Sequence, residues 1–157
     1  MEQVVSAYAG PARITLKWPN DLLLDAVKMS GILLERHGDA IIIGFGVNLA
    51  HHPEGLDRPA TSLAAAGLVP PPDPAVFVED LAGSFAAWLS RWRGEGLAPA
   101  RSRWLERAHP VGTPLVARTA DGGETAGLFT GLDADGALLL RTGDGVRTIY
   151  AADVFLL

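Results

Sequence analysis

Between Arg13 and Asn48 the chain reads as a series of short strand-forming runs whose connections are too tight for a crossover. Arg13 to Trp18 alternates polar and apolar, with Ile14, Leu16 and Trp18 on one face. Leu22 to Leu24 follows, then a turn at Asp25-Ala26, then Met29 to Arg36, a turn at His37-Gly38-Asp39, and Ala40 to Asn48. Parallel neighbours need a crossover of a dozen residues or more, so these turns imply an antiparallel meander. The last run is apolar on both faces through Ile41, Ile42, Ile43 and Phe45, which predicts a central strand.

The rest of the chain changes character twice. Residues 1–9 read as the end of a helix stopped by Gly10-Pro11. Residues 51–73 are rich in loop formers, with a short helix expected at Thr61–Ala66. From Pro74 to Arg93, Phe77, Leu81, Phe85, Trp88 and Trp92 recur at helical spacing behind an Asp73 N-cap. A further helix is expected at about Ala98 to Arg107. Trp88, Trp92 and Trp104 are read as core and packing residues. Beyond Val111, five short β runs alternate with Asp/Gly turns, the pattern of a small SH3-like barrel. The fold class is therefore α+β: a largely antiparallel sheet packed with helices over residues 1–109, then an SH3-like β-barrel over 110–157.

With no cysteine, thiolate catalysis, disulfides and Cys-ligated metal are excluded. A formal net charge of −5 argues against a general nucleic-acid binder. No signal sequence and no membrane-length apolar run are visible, so a cytoplasmic location without membrane contact is expected. His51 and His52 are adjacent with no carboxylate at ligand spacing, which speaks against zinc. Ser62 reads as a cap.

Chemistry concentrates in Lys17-Trp18-Pro19-Asn20-Asp21 and Lys28-Met29-Ser30-Gly31-Ile32-Leu33. Two lysines set among strand residues call for an anion, since a desolvated ammonium is costly unpaired. Pro19 stiffens the turn that presents Asn20 and Asp21, a geometry suited to nucleotide or Mg²⁺ recognition. Gly31 interrupts a good β run, which marks a bulge or the approach of a ligand to backbone. Gly44-Phe45-Gly46-Val47-Asn48 lacks the third glycine and the helix of a dinucleotide fingerprint. Asn48 could still read a ribose or base edge. Against these readings stand an Asx turn with a solvated Lys17, and an edge-strand Lys28 that discourages aggregation.

Taken together, these motifs resemble those of the biotin protein ligases: K-W-P-N-D at Lys17–Asp21, K-x-x-G-I-L at Lys28–Leu33 and G-x-G-x-N at Gly44–Asn48, in the same order. Thr61-Ser62-Leu63 stands where the family has its S-L segment, and the tail from Arg103-Trp104 to Val154 resembles its SH3-like C-terminal domain. The resemblance implies a class II synthetase-like catalytic fold and an ATP-dependent, AMP-forming ligase. Biotin and ATP would give biotinyl-5′-adenylate, from which a lysine of a biotin carboxyl carrier protein takes the biotin. It further implies catalytic roles for Lys28 and Lys17, and substrate or nucleotide contacts from Lys17, Trp18, Asn20, Asp21, Lys28, Gly31 and Asn48. Asp21 would meet Mg²⁺ carried by the ATP.

The family's G-R-G-R-x-G-R loop has no counterpart in this sequence. The expectation is a chain lacking roughly the first third of a family catalytic domain, with slowed, leaky or lost turnover. It also lacks a DNA-binding segment ahead of that domain, and carries an exposed sheet edge that favours self-association or a partner. The rival readings are a non-catalytic module that holds biotin, nucleotide or carrier, and a lipoate-type acyl ligase.

Overall fold

A computed structural model describes residues 1–55 and 57–157. The chain divides into two compact units, Met1–Leu16 with Asn20–Trp88, and Lys17–Pro19 with Leu89–Leu157.

The first unit opens with α1 (Glu2–Ala9), a 3-10 turn at Pro11–Arg13 and β1 (Ile14–Lys17), whose last residue belongs to the second unit. Then come β2 (Asp21–Leu24), β3 (Val27–His37) and β4 (Ala40–Val47), giving a sheet in the order β1-β2-β3-β4. β2–β3 and β3–β4 pair antiparallel, as turns of this length require. The β2–β3 turn puts Asp25 and Ala26 at positive φ, the backbone of a tight hairpin. It is fastened by the Arg13 guanidinium, whose Nε donates to both Asp25 carboxylate oxygens at 3.1 Å. That hydrogen bonding holds the Asp25 carboxyl below its usual range.

α2 (Pro74–Glu95) starts as expected, with Asp73 Oδ1 accepting from the Ala75 N–H at 2.7 Å. Phe77 and Leu81, one turn apart, are buried with Val5, Leu22, Leu24, Met29 and Leu63 in the first core. Two expectations fail here. Thr61–Ala66 forms no helix, only a turn in which Ser62 Oγ accepts from the Ala65 N–H. β4 is not central: among the described residues it pairs only with β3, and Ile41, Ile42 and Ile43 are exposed together with Leu33 and Leu34 of β3. A run apolar on both faces is fit for burial, but its place in a sheet depends on which strands are there to flank it.

The second unit contains α3 (Ala98–Leu105) and a five-stranded antiparallel sheet of β5 (Pro114–Arg118), β6 (Glu124–Leu132), β7 (Leu138–Thr142), β8 (Gly145–Ile149) and β9 (Asp153–Leu156). Its order is β8-β7-β6-β5-β9. The sequence boundary after residue 109 falls just ahead of β5, but packing groups α3 with the barrel. Trp104, Leu105 and Ala108 lie against the core of Leu115, Phe129, Leu138 and Leu140, and Arg101 Nε donates to Leu132 O at 3.1 Å. Of the other expected core tryptophans, Trp88 is half-buried and donates to Gln3 Oε1, whereas Trp92 is exposed.

His109 Nε2 is buried in this unit without a hydrogen-bond partner among the described residues. Burial, and then the Lys17 ammonium, push its pKa below the ordinary histidine value. The unfolded chain therefore binds that proton more readily than the folded one. Stability is present above the unfolded pKa of about 6.5 and declines as pH falls through it. Thermal melts between neutral and mildly acid pH should show this loss, and His109→Gln should flatten it. Identical pH profiles for the two proteins would rule the assignment out.

Candidate functional site

One cavity of about 730 Å³ in the first unit gathers most of the predicted residues. It is lined by Asn20, by Lys28 to Leu33 of β3, by Gly44 to Gly46 of β4, by Asn48, and by Pro53 and Arg58 to Ala60 of the following loop. That volume lies within the usual range for small-molecule sites.

The geometry begins with a bulge. In the β2–β3 register Leu22 faces Ser30 and Leu23 faces Lys28, so Met29 is the extra residue. On a regular strand positions 28 and 31 would point to opposite faces, and one inserted residue returns them to the same one. Met29 is fully buried, while the Lys28 ammonium lies across Gly31. A Cβ on Gly31 would stand 3.5 Å from Lys28 Nζ and 3.6 Å from Asp21 Oδ1, so anything larger than a methyl would wedge into this pair. Gly31 pairs across the strands with Gly46, and Leu33 with Gly44. The result is a floor with almost no side chains on it.

Lys28 Nζ reaches Asp21 Oδ1 at 2.6 Å, from a half-exposed ammonium to a buried carboxylate. The contact is an ion pair. Asn20 is clasped to β3: its carbonyl accepts from the Ile32 N–H at 3.0 Å, and its Nδ2 donates to Ile32 O at 2.7 Å. Asn48 closes the far side. Its N–H donates to Met29 O, its Nδ2 to Thr61 O at 2.9 Å, and its carbonyl accepts from Leu63 N–H. Thr61 N–H returns to Lys28 O at 2.9 Å, beside a parallel bridge between Lys28 and Ala60. Both ends of the loop between Asn48 and Thr61 are thus tied to the strand that carries Lys28. Ser62 Oγ, 3.3 Å from His52 Nδ1, tethers the loop as well.

Lys17 and Trp18 are not among the residues lining the cavity. Lys17 is buried in the second unit with Nζ donating to Val154 O at 3.1 Å, and Trp18 joins that unit's core with Nε1 donating to Gly136 O at 3.1 Å. The sequence reading missed Phe45, Pro53 and Arg58 as lining residues. Nothing local marks them, because only the loop closure through Asn48 brings Pro53 and Arg58 to the site. Among the described residues no three His, Cys, Asp or Glu side chains cluster as a metal site. Asp21 is the carboxylate paired with the cavity's lysine.

Comparison with known proteins agrees across the chain. Residues 115–157 match the family described as the biotin protein ligase C terminal domain. The biotin–[acetyl-CoA-carboxylase] ligase of Paracoccus denitrificans is 42% identical over 93% of this chain and 65% of its own length. The bifunctional ligase/repressor BirA of Bacillus subtilis is 34% identical over 90% of this chain and 46% of its own. The chain thus spans between about half and two thirds of these relatives. The structure of the biotin protein ligase from Aquifex aeolicus in complex with biotin and ATP superposes with a TM-score of 0.88, covering 99% of this chain and 67% of that one at 21% identity.

Proposed function

The chain belongs to the biotin protein ligase family, and we propose from that premise that it activates biotin with ATP and passes the biotin to a carrier lysine. The observation that supports this most directly is the Lys28–Asp21 pair over the Gly31–Gly46 floor, inside a cavity sized for a small ligand.

In the first step a biotin carboxylate oxygen attacks the α-phosphorus of ATP. A bond forms between them, the bridge to the β-phosphate breaks, and pyrophosphate leaves with that electron pair. Two anions must meet, and Lys28 is the cation available to both. A fixed ammonium there stabilises charge that grows at the α-phosphate. Asp21 holds the Lys28 ammonium in position. Mg²⁺ would arrive on the triphosphate with Asp21 as its candidate carboxylate. Asn20 holds the turn against β3 and Asn48 the nucleotide-side loop, while Gly31 leaves room for biotin over bare backbone. Lys17 and Trp18 serve this reading by holding their segment rather than by touching phosphate.

In the second step a neutral lysine amine of a biotin carboxyl carrier protein attacks the anhydride carbonyl. The C–O bond to phosphate breaks, AMP leaves, and the amine loses a proton. The exposed Ile41–Ile43 edge is the surface proposed for self-association or for a partner. No helix among the described residues is long and apolar enough to cross a membrane, and a reaction that draws on ATP is assigned to the cytoplasm.

The test is calorimetric titration of the 157-residue chain with biotin and then with biotin plus MgATP, with pyrophosphate measured in the same samples. Biotin binding with pyrophosphate release is the expected result. Binding without release would make the chain a non-catalytic module. No binding of either ligand would sink the reading.

A further inference from the structure

The loop that follows β4 is closed at its neck by more than its end bonds. Asn48 O accepts from the Leu63 N–H at 3.1 Å and Leu49 O from the Ala64 N–H at 3.0 Å, so the two limbs of the neck run side by side. Between them sits Ser62, fully buried. Its hydroxyl meets three groups: the Ala65 N–H at 3.1 Å, Ala50 O at 3.5 Å and His52 Nδ1 at 3.3 Å. The first shapes the turn of its own segment. The other two reach across the neck to the limb that leads into Pro53. Pro53 lines the cavity from that limb, and Pro59 and Ala60 line it from the returning one.

A hydroxyl donates one hydrogen and accepts on two lone pairs. One lone pair takes the Ala65 N–H. A carbonyl can only accept, so the hydrogen goes to Ala50 O and the second lone pair is left for His52. Nδ1 must then carry a proton. With the reverse direction, the hydroxyl donating to Nδ1, the bond to Ala50 O goes unmade. Only the Nδ1–H form of the ring satisfies all three neighbours of Ser62 at once.

We propose that His52 is a positioning residue for nucleotide binding, its Nδ1–H donating to Ser62 Oγ and so fixing where Pro53 and the loop beyond it lie against the cavity. This rests on the biotin and ATP reading given above. His52 is not itself among the lining residues. It sets the start of the loop through a fully buried hydroxyl, as Asn48 and Thr61 set its end.

The experiment titrates MgATP and biotin separately into the full chain, His52→Ala, His52→Asn, Ser62→Ala and the His52→Ala/Ser62→Ala double variant. Pyrophosphate release is followed at saturating substrate. One lost hydrogen bond corresponds to a roughly 3- to 10-fold weaker hold on MgATP in His52→Ala. Biotin affinity should hold at the wild-type value. Pyrophosphate release at saturation should do the same, because Lys28 is untouched, so the loss falls on KM and spares kcat. His52→Asn should recover most of it, since its amide N–H can stand where Nδ1–H stood. In the double variant the two single losses should overlap rather than multiply. Nitrogen NMR of the histidine rings in alkaline buffer, where imidazoles are neutral, should show His52 protonated on Nδ1. The proposal is overturned by wild-type MgATP affinity in His52→Ala, by equal losses toward biotin and MgATP, by fully multiplicative losses in the double variant, or by a ring protonated on Nε2 instead. Should Ser62→Ala fail to fold, the His52 variants and the ring spectrum decide alone. A wild-type chain that binds neither ligand would sink the ligase reading and this inference with it. Normal binding of both beside an indifferent His52→Ala would remove only the inference.

Discussion

Lys28→Ala is expected to abolish adenylate formation at the cavity, lowering pyrophosphate release by roughly 100- to 1,000-fold, the usual effect of removing one fixed group that stabilises transition-state charge. The substitution does two things at once. It takes the ammonium from the proposed meeting point of carboxylate and α-phosphate, and it removes the Lys28 contact from Asp21, a buried carboxylate. A buried carboxylate that loses a counter-ion costs stability and repels both substrates. Asp21→Asn combined with Lys28→Ala separates these effects. The double variant should recover part of the thermal stability lost by the single one, because the carboxylate charge is gone. It should recover no turnover, because nothing replaces the cation. If Lys28→Ala alone kept wild-type pyrophosphate release, the assignment of Lys28 to the reacting centre would be refuted. Arg in place of Lys28 should not substitute, since its broad planar fork does not reproduce the compact ammonium that pairs with Asp21 beside Gly31.

What could be read ahead of the structure was whatever depends on neighbours in sequence. The β2–β3 and β3–β4 turns announced antiparallel pairing because two or three residues cannot make a crossover. Asp73 announced the start of α2 through its own side chain. Asn20, Lys28, Gly31 and Asn48 were singled out in the sequence, and the fold brings them to one cavity. What could not be read depends on contacts made at long range. The Met29 bulge shows only in the register of a second strand, yet it alone turns Lys28 and Gly31 to one face. Arg58 looks like any arginine in a polar loop until Asn48 and Thr61 close that loop against β3. Ile41–Ile43 record a taste for burial, whereas the flank of β4 is decided by strands outside the run itself. Lys17 joins the phosphates on chemistry alone, and its ammonium donates to Val154 O, a residue from the far end of the chain.

Trp18→Ala should destabilise the second unit by about 3–5 kcal/mol, the typical cost of deleting a buried tryptophan. Trp18 is 7% exposed and packs among Leu115, Phe129, Leu138 and Leu140, with its indole N–H donating to Gly136 O. Truncation opens a cavity in that core and leaves a carbonyl without its donor. Trp18→Phe isolates the second loss: most of the packing remains, and the expected cost falls to about 1–3 kcal/mol for the unpaired group. Hydrogen exchange gives the location as well as the size. Protection should drop at β6 and β7, the strands that carry Phe129, Leu138 and Leu140. A tryptophan that contacted nucleotide would behave in the opposite way, leaving the barrel amides and the melting point untouched while MgATP affinity fell. The two outcomes cannot be confused, so this one substitution decides whether the tryptophan of the K-W-P-N-D motif belongs to the chemistry or to the scaffold. The buried indole and its bond to Gly136 are the observations behind the scaffold outcome expected here.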